Sequence, residues 1–378
     1  MNRREKVAIT RCNTYSNEDL YPALKEVLLH GDMPLVIGKT ILLKPNILSD
    51  AHPEKAITTR GEVIGNLIKI LYEMGADKIY VGDSPGISGN KFTPKHSGIY
   101  KACVENGAHW VQFSLDTESK KIPFTYGKKL PLPTLLNEVD YVFSVAKMKT
   151  HQLMYLTGCV KNLFGLVPGL HKSHSHMLYP TRESFSRMIA GLYQLTKPDF
   201  NILDGIISME GPGPASGSPR HTGLLFASRD ATAVDASMAI IMNYDIEKIP
   251  LLKELQKRSL TSWTHVDDIP YPLLNAKDLV IKDFKRIEIE KKTHLLSSLI
   301  GPLFSKWIKL RHQQKEPKPL FNDELCISCG KCITICPGKA LKFNENKKID
   351  VDYAKCIRCY CCHEVCPADA IDIEKQGV

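Results

Sequence analysis

Eight of the chain's twelve cysteines write one pattern twice. Cys326-x2-Cys329-x2-Cys332-x3-Cys336 is followed by Pro337, and Cys356-x2-Cys359-x2-Cys362-x3-Cys366 by Pro367. Soft thiolates at this spacing suit two 4Fe-4S clusters. Three thiols two residues apart wrap one cubane, while the fourth lies too far along the chain and reaches the other. The expected ligation is therefore crossed: Cys326, Cys329, Cys332 and Cys366 on one cluster, Cys356, Cys359, Cys362 and Cys336 on the other. Each proline turns the chain away after the fourth ligand. Structural zinc would need neither the third cysteine nor the proline, and a disulfide framework would need an oxidising compartment. Cys361, beside Cys362, reads as a spare buried thiol.

A second set of chemistry-bearing residues lies in the first 285 positions. Lys44-Pro-Asn46, Asp83-Ser-Pro-Gly86, Lys147-Met-Lys149-Thr-His151 leading to Gly158-Cys-Val-Lys161-Asn-Leu-Phe-Gly165, and Asp204-Gly leading to Glu210-Gly-Pro-Gly-Pro214 each follow a strand-like run. The lysines are point charges suited to an anionic ligand. Asp83, Asp204 and Glu210 are acid/base candidates or oxygen ligands for a hard cation. As single segments these read as ordinary Gly/Pro/Asp/Ser turns. All at strand ends of one sheet, they suggest a small-molecule site, with Lys44, Asp83, Lys149, Lys161 and Glu210 as catalytic candidates around a common cleft. None matches a dinucleotide or Walker loop. His171, His174 and His176 suggest a metal site, against which stands a polar stretch with no helical register, more simply read as a solvated loop. Cys12 and Cys103 read as core. Cys159, near Lys161, is a candidate for a lowered pKa, with packing the commoner role.

These residues need a scaffold. Strand-like runs at Val7–Cys12, Thr40–Pro45, Lys78–Gly82, His109–Phe113, Tyr141–Ala146, Phe200–Asp204 and Gly223–Ser228 alternate with helical patterns at Asn17–Leu29, Arg60–Met74, Ser97–Glu105, Arg182–Leu195, Ala231–Met242 and Leu251–Lys257. That alternation predicts α/β architecture with a mainly parallel sheet over residues 1–285. Thr59 and Glu62 offer a capping box, and Gly75 a helix stop. Residues 320–378 form a small α+β module with an internal repeat of about 30 residues. Between them, 286–319 is basic. An apolar residue pair every four positions predicts a helix over 295–311, kinked at Gly301-Pro302, that pins the module to the large domain; peripheral membrane contact is the alternative.

With 43% hydrophobic and 24% charged residues, the composition is that of a globular protein. The net charge is +9, but no aromatic–basic interleaving or helix-turn-helix accompanies it, so an acidic redox partner is favoured over nucleic acid. No run reaches transmembrane length and no secretory leader is visible. With oxygen-sensitive clusters, this gives a cytoplasmic expectation in an anaerobic setting.

The motifs of the first 285 residues, in this order and ahead of a two-cluster module, resemble the domain-of-unknown-function-362 family, many of whose members carry a C-terminal bacterial-type ferredoxin domain. The resemblance spans essentially the whole chain. It implies iron–sulfur binding in a redox setting and identifies no substrate. Three functions compete: an electron carrier whose large domain docks partners, ranked first; an iron–sulfur oxidoreductase with its site at the strand-end loops; and a redox sensor. Whether the chain is an enzyme is left open.

Overall fold

The computed structural model describes residues 5–86, 92–289 and 317–374. The expected helix over 295–311 falls outside them.

The large domain is a mixed α/β body around one mostly parallel sheet. Its strands are β1 (Ala8–Arg11), β2 (Thr40–Pro45), β3 (Lys78–Asp83), β4 (His109–Gln112), β7 (Tyr141–His151), β8 (Tyr155–Thr157), β9 (Phe200–Glu210) and β10 (Ser218–Ser228). A separate hairpin joins β5 (Thr117–Lys121) and β6 (Lys129–Pro133). The sheet order is β1-β10-β9-β7-β2-β3-β4, with β8 folded back on β7. β2, β3, β4, β7 and β9 run parallel, so their carboxyl ends emerge together. β10 is antiparallel to both β9 and β1.

Alternation along the strands feeds two cores. Ile41, Leu43, Phe143 and Val145 pack beneath α1 (Asn17–His30), α2 (Gly61–Glu73) and α3 (Ile99–Glu105). Leu42, Val142, Ala146 and Met148 face the other layer: α4 (Cys159–Asn162), α5 (His171–Leu178), α6 (Arg182–Thr196), α7 (Ala231–Ile241) and α8 (Pro250–Lys257). Helix α1 starts where the Ser16 side chain accepts from Asp19 N, and buries Leu20, Leu24, Val27 and Leu28 at helical spacing. In α2, Val63, Ile64, Leu67, Ile68 and Leu71 are fully buried, each contributing about 1.5–3 kcal/mol. Gly75 stops that helix at φ +91° while Ala76 N donates to Leu71 O.

Four local expectations need correcting. Thr59 does not cap α2: Arg60 holds the N-cap position with no side-chain bond. Thr59 Oγ1 instead donates to Val145 O (2.7 Å) and accepts from Asn46 N (2.9 Å), lashing the loop after β2 to β7. Lys147–His151 is not a loop but the last five residues of β7, paired in its final turns with β8. Its polar residues are buried, so a pattern based on apolarity ends the strand too early. His171–His176 is helical, part of α5. β9 and β10 also run on as a long hairpin past Asp204 and before Gly223, with a register shift between His221 and Leu224.

The small module has two halves that share their backbone features. β11 (Pro319–Phe321) pairs with β14 (Ile371–Ile373), and β12 (Leu341–Phe343) with β13 (Ile349–Val351). Short helical turns occupy Lys331–Ile335 and Cys361–Glu364. Thirty residues apart, Ser328 and Arg358, Gly330 and Tyr360, and Lys339 and Asp369 all take left-handed φ of 48–70°.

Candidate functional site

Those left-handed residues curl each cysteine loop inward. Ala340 N donates to Cys336 Sγ and Ala370 N to Cys366 Sγ, both at 3.3 Å. The thiols assemble across the halves. Cys332 is repelled electrostatically by Cys326, Cys329 and Cys366, whereas Cys362 feels Cys356, Cys359 and Cys336. The second set lines one cavity together with Pro319, Pro337 and Tyr360. Among the described residues no three His, Cys, Asp or Glu side chains converge on a point as they would around one ion. Soft thiolates from four cysteines per set are the donors 4Fe-4S groups take, so the residues present fit such groups. Cys361 is buried beside the second set, and its hydrogen bond holds Cys359 below the ordinary thiol value.

At the carboxyl ends of β2 and β3, Lys44 is fully buried and its Nζ donates to Asp83 Oδ2 (2.9 Å), Asn162 Oδ1 (3.0 Å) and Pro45 O (2.6 Å). Desolvation lowers the lysine's pKa and the Asp83 charge opposes that shift. Asp83 also accepts from Ile47 N and Ser84 N. Asn162 acts as a bracket, its Nδ2 donating to Lys44 O and Ser144 Oγ. The glycine-rich run around it has a steric cause: a Cβ on Gly165 would strike Lys44 Nζ and Asp83 Oδ1, and one on Gly158 would strike Asp235.

A second buried pair sits one strand over. Lys147 Nζ donates to Asp204 Oδ2 (2.8 Å) and to Tyr15 OH (3.0 Å), and Tyr15 OH donates to Asp204 Oδ1 (2.8 Å). The Arg60 guanidinium lies 4.4 Å over the Tyr15 ring.

Lys149 has no carboxylate in hydrogen-bond reach among the described residues. Its Nζ donates to Ile57 O (2.8 Å) and Pro214 O (3.5 Å). Burial first, then the Lys161 charge, pulls its pKa down to about 7. Lys161, on α4, feels Glu364 and Lys44. Lys172, on α5, has its ammonium shut from solvent with no hydrogen-bond partner among the described residues, and burial lowers it to about 7. Its electrostatic neighbours are Asp83, Lys44, Lys161 and Glu364.

Glu364 comes from the cluster module. Burial raises its pKa, against the pull of Lys161, Lys149 and Lys172. Its Oε1 stands 3.4 Å from His151 Nε2, without hydrogen-bond alignment. His151 Nδ1 accepts from Leu153 N and Met154 N, which leaves the proton on Nε2. Burial and the neighbouring lysines keep that imidazole neutral. Lys55–Asp369 (3.0 Å) and Ser216–Asp369 (3.4 Å) join the same two bodies.

The structure thus gathers Lys44, Asp83, Lys149 and Lys161 at one end of the sheet. Glu210 is turned away: it accepts from Lys285 N (3.0 Å) and pairs with Arg220 at 3.7 Å. Its loop serves the centre through the Pro214 carbonyl instead. Cys159 is not an activated thiol, since burial and Asp235 push it well above the ordinary value. His176 stacks on Phe185 at 4.4 Å while His171 and His174 are exposed, so the three histidines do not converge. Sequence reasoning missed Lys172 and Glu364. The first lies in a helix read as loop, and the second is an unremarked spacer between two ligand cysteines.

Two stretches of the chain match known families. Residues 320–373 match the 4Fe-4S dicluster domain, and residues 41–239 match the domain of unknown function DUF362. The chain is 30% identical over 294 residues to the thylakoid-associated protein sll1697 of Synechocystis sp., covering 75% of this chain and 88% of that one. It is 39% identical over 42 residues to a ferredoxin of Pyrobaculum islandicum, covering 11% of this chain and 39% of that one. A solved structure, the lactate racemase apoprotein from Thermoanaerobacterium thermosaccharolyticum, aligns at 13% identity and TM-score 0.42, over 64% of this chain and 58% of that one. The molecule is an α/β protein fused to a 4Fe-4S-binding module of ferredoxin type. It belongs to the DUF362 family. No described helix is long and apolar enough to cross a membrane.

Proposed function

We propose that the protein is an iron–sulfur electron-transfer protein with two crossed-ligated 4Fe-4S clusters, the second of which serves a buried site at the strand ends of the large domain. The observation carrying this is the position of Glu364. It lies two residues from Cys362 and two from Cys366, its carboxylate stands 3.4 Å from His151 at the end of β7, and it feels the charges of Lys161, Lys149 and Lys172. A module that only carried electrons to outside partners would have no need to send a side chain from between its ligands into that centre. This favours the oxidoreductase reading over the simple carrier. Clusters bound there would supply single electrons. The chain's own residues hold the ligand, exclude water, and offer Lys149 and Lys172 as proton acceptors near neutrality.

Anaerobic protein should contain about eight irons and about eight acid-labile sulfides per chain. In that preparation Lys161→Met should lower the midpoint potential of one cluster and leave the other unchanged. The reason is electrostatic: reduction adds an electron, and a nearby cation favours it. Potentiometric titration followed by electron paramagnetic resonance reads this. Two unshifted potentials would return the protein to the simple carrier reading.

A further inference from the structure

The end of β7 is closed while the cluster module sits as it does. Lys149 and His151 are each 1% exposed. The module lies across the carboxyl ends of four parallel strands. Glu364 Oε1 stands 3.4 Å from His151 Nε2, at the end of β7. Ile335 lies against Gly86, just after β3, its Cδ1 3.8 Å from where a Cβ on that glycine would stand. Asp369 reaches the other two loops. Its Oδ2 accepts from Lys55 Nζ (3.0 Å), after β2, and its Oδ1 from Ser216 Oγ (3.4 Å), after β9. His151 Nδ1 is taken up by Leu153 N and Met154 N of its own strand end, so the edge that the module covers is the free one.

The contacts holding the module there are weak. The Lys55 and Asp369 side chains are 47% and 45% exposed, and an ion pair so open to water adds little stability. The Glu364–His151 contact lacks hydrogen-bond alignment. Among the described residues, only Tyr360 and Ile373 of the module join the main core of the large domain. Interfaces of this kind between domains of one chain permit relative motion. Asp369 also separates the two halves of the module. Its counterpart in the repeat is Lys339, with the same left-handed backbone (φ 49° and 48°) and the opposite charge. Only the half that carries the carboxylate can pair with Lys55.

We propose that the cluster module is a reversible cover on the strand-end centre, latched by Asp369 through Lys55 and Ser216, and that a ligand reaches His151 and Lys149 while the cover is lifted. Lifting carries the second cysteine set away with Glu364. The centre is therefore filled in the open state and served by the inward cluster in the closed one. Admission of a ligand rests on the reading of this centre as the redox site, whereas the lifting itself rests only on the contacts above.

The test is footprinting of the full-length, cluster-replete protein with diethyl pyrocarbonate under anaerobic conditions, read by mass spectrometry. The reagent acylates neutral imidazoles that solvent can reach. His171 and His174, both exposed, set the unhindered rate. His176, buried in the large domain against Phe185, reports unfolding of that domain. In the wild type His151 should react more slowly than the exposed pair and faster than His176. Asp369→Lys, which sets two cations against each other, should speed His151 about threefold to tenfold and leave His176 unchanged. Asp369→Asn should have a smaller effect in the same direction. Combining Asp369→Lys with Lys55→Asp restores an opposite-charge pair and should return His151 close to the wild-type rate. The proposal is overturned if His151 reacts no faster than His176 in the wild type, if Asp369→Lys leaves its rate unchanged or raises both histidines together, or if the double variant reacts as fast as the single one. Footprinting needs neither ligand nor electron flow. An unshifted cluster potential in Lys161→Met would thus end the redox reading and leave the cover standing.

Discussion

Glu364 Oε1 stands 3.4 Å from His151 Nε2, where the last residue of β7 meets the spacer between two ligand cysteines. The contact fixes which half of the module faces the large domain. The half around Cys356–Cys366 buries Tyr360, Cys361 and Cys362 and shares Tyr360 with the main core. The half around Cys326–Cys336 leaves Cys329 exposed, with Leu325 and Ile327 open beside it. One cysteine set therefore looks outward to solvent and the other inward to the lysines. That is the order required for electrons to enter from a partner and leave toward the strand-end centre, or to run the reverse way.

The proposed crossed ligation can be tested directly. Cys336 belongs to the first motif in sequence but sits with Cys356, Cys359 and Cys362 in space. Cys336→Ser should therefore alter the inward cluster and spare the outward one. Electron paramagnetic resonance of the reduced variant distinguishes them, since only the inward signal responds to Lys161→Met. Loss of the outward signal would overturn the assignment. Cys361→Ser should leave the iron content unchanged.

The Lys44–Asp83 pair should prove costly to break from either side. Asp83→Ala leaves a fully buried ammonium unmatched and strips the acceptor from Ile47 N and Ser84 N, a loss of about 3–5 kcal/mol. Gly165→Ala keeps both charges but drives a methyl into Lys44 Nζ and Asp83 Oδ1, a milder loss of about 1–3 kcal/mol. Anaerobic chemical denaturation measures both. A Gly165→Ala protein as stable as the wild type would mean that the glycine is not set by this contact.

The sheet was largely legible because its strands obey simple rules. Apolar runs such as Ile41–Leu43 and Phe200–Leu203, broken by helical periodicity and stopped by Gly75, lead to the observed parallel order. The cysteine module was legible because ligand spacing is chemistry written directly in sequence. What escaped was buried polarity. Lys147, Lys149 and Thr150 lie in a strand with almost no exposure, yet by type they read as loop residues. Their burial is permitted by partners distant in the chain: Asp204, Tyr15, the Ile57 carbonyl and the Pro214 carbonyl. No local pattern announces such pairings. Glu210 shows the converse, since a carboxylate at a strand end looks catalytic until Arg220 and Lys285 are seen beside it.

Lys149 predicts a pH dependence with a definite sign. In the folded protein its pKa falls to about 7, from an ordinary lysine value of 10.5. Below about pH 7 the group is charged in both folded and unfolded chains, and the folded state carries the full cost of burying it. Between about 7 and 10.5 the unfolded chain binds a proton that the folded chain does not, so stability rises with pH across that window. Lys149→Met removes this dependence while leaving that of Lys172, which has the same sign. In anion-free buffer the wild-type Tm should therefore climb relative to the variant's as pH is raised from 7 to 9 (differential scanning calorimetry, anaerobic). A gap between the two proteins that stays constant with pH would show that Lys149 keeps its proton in the fold, and that another negative group matches it.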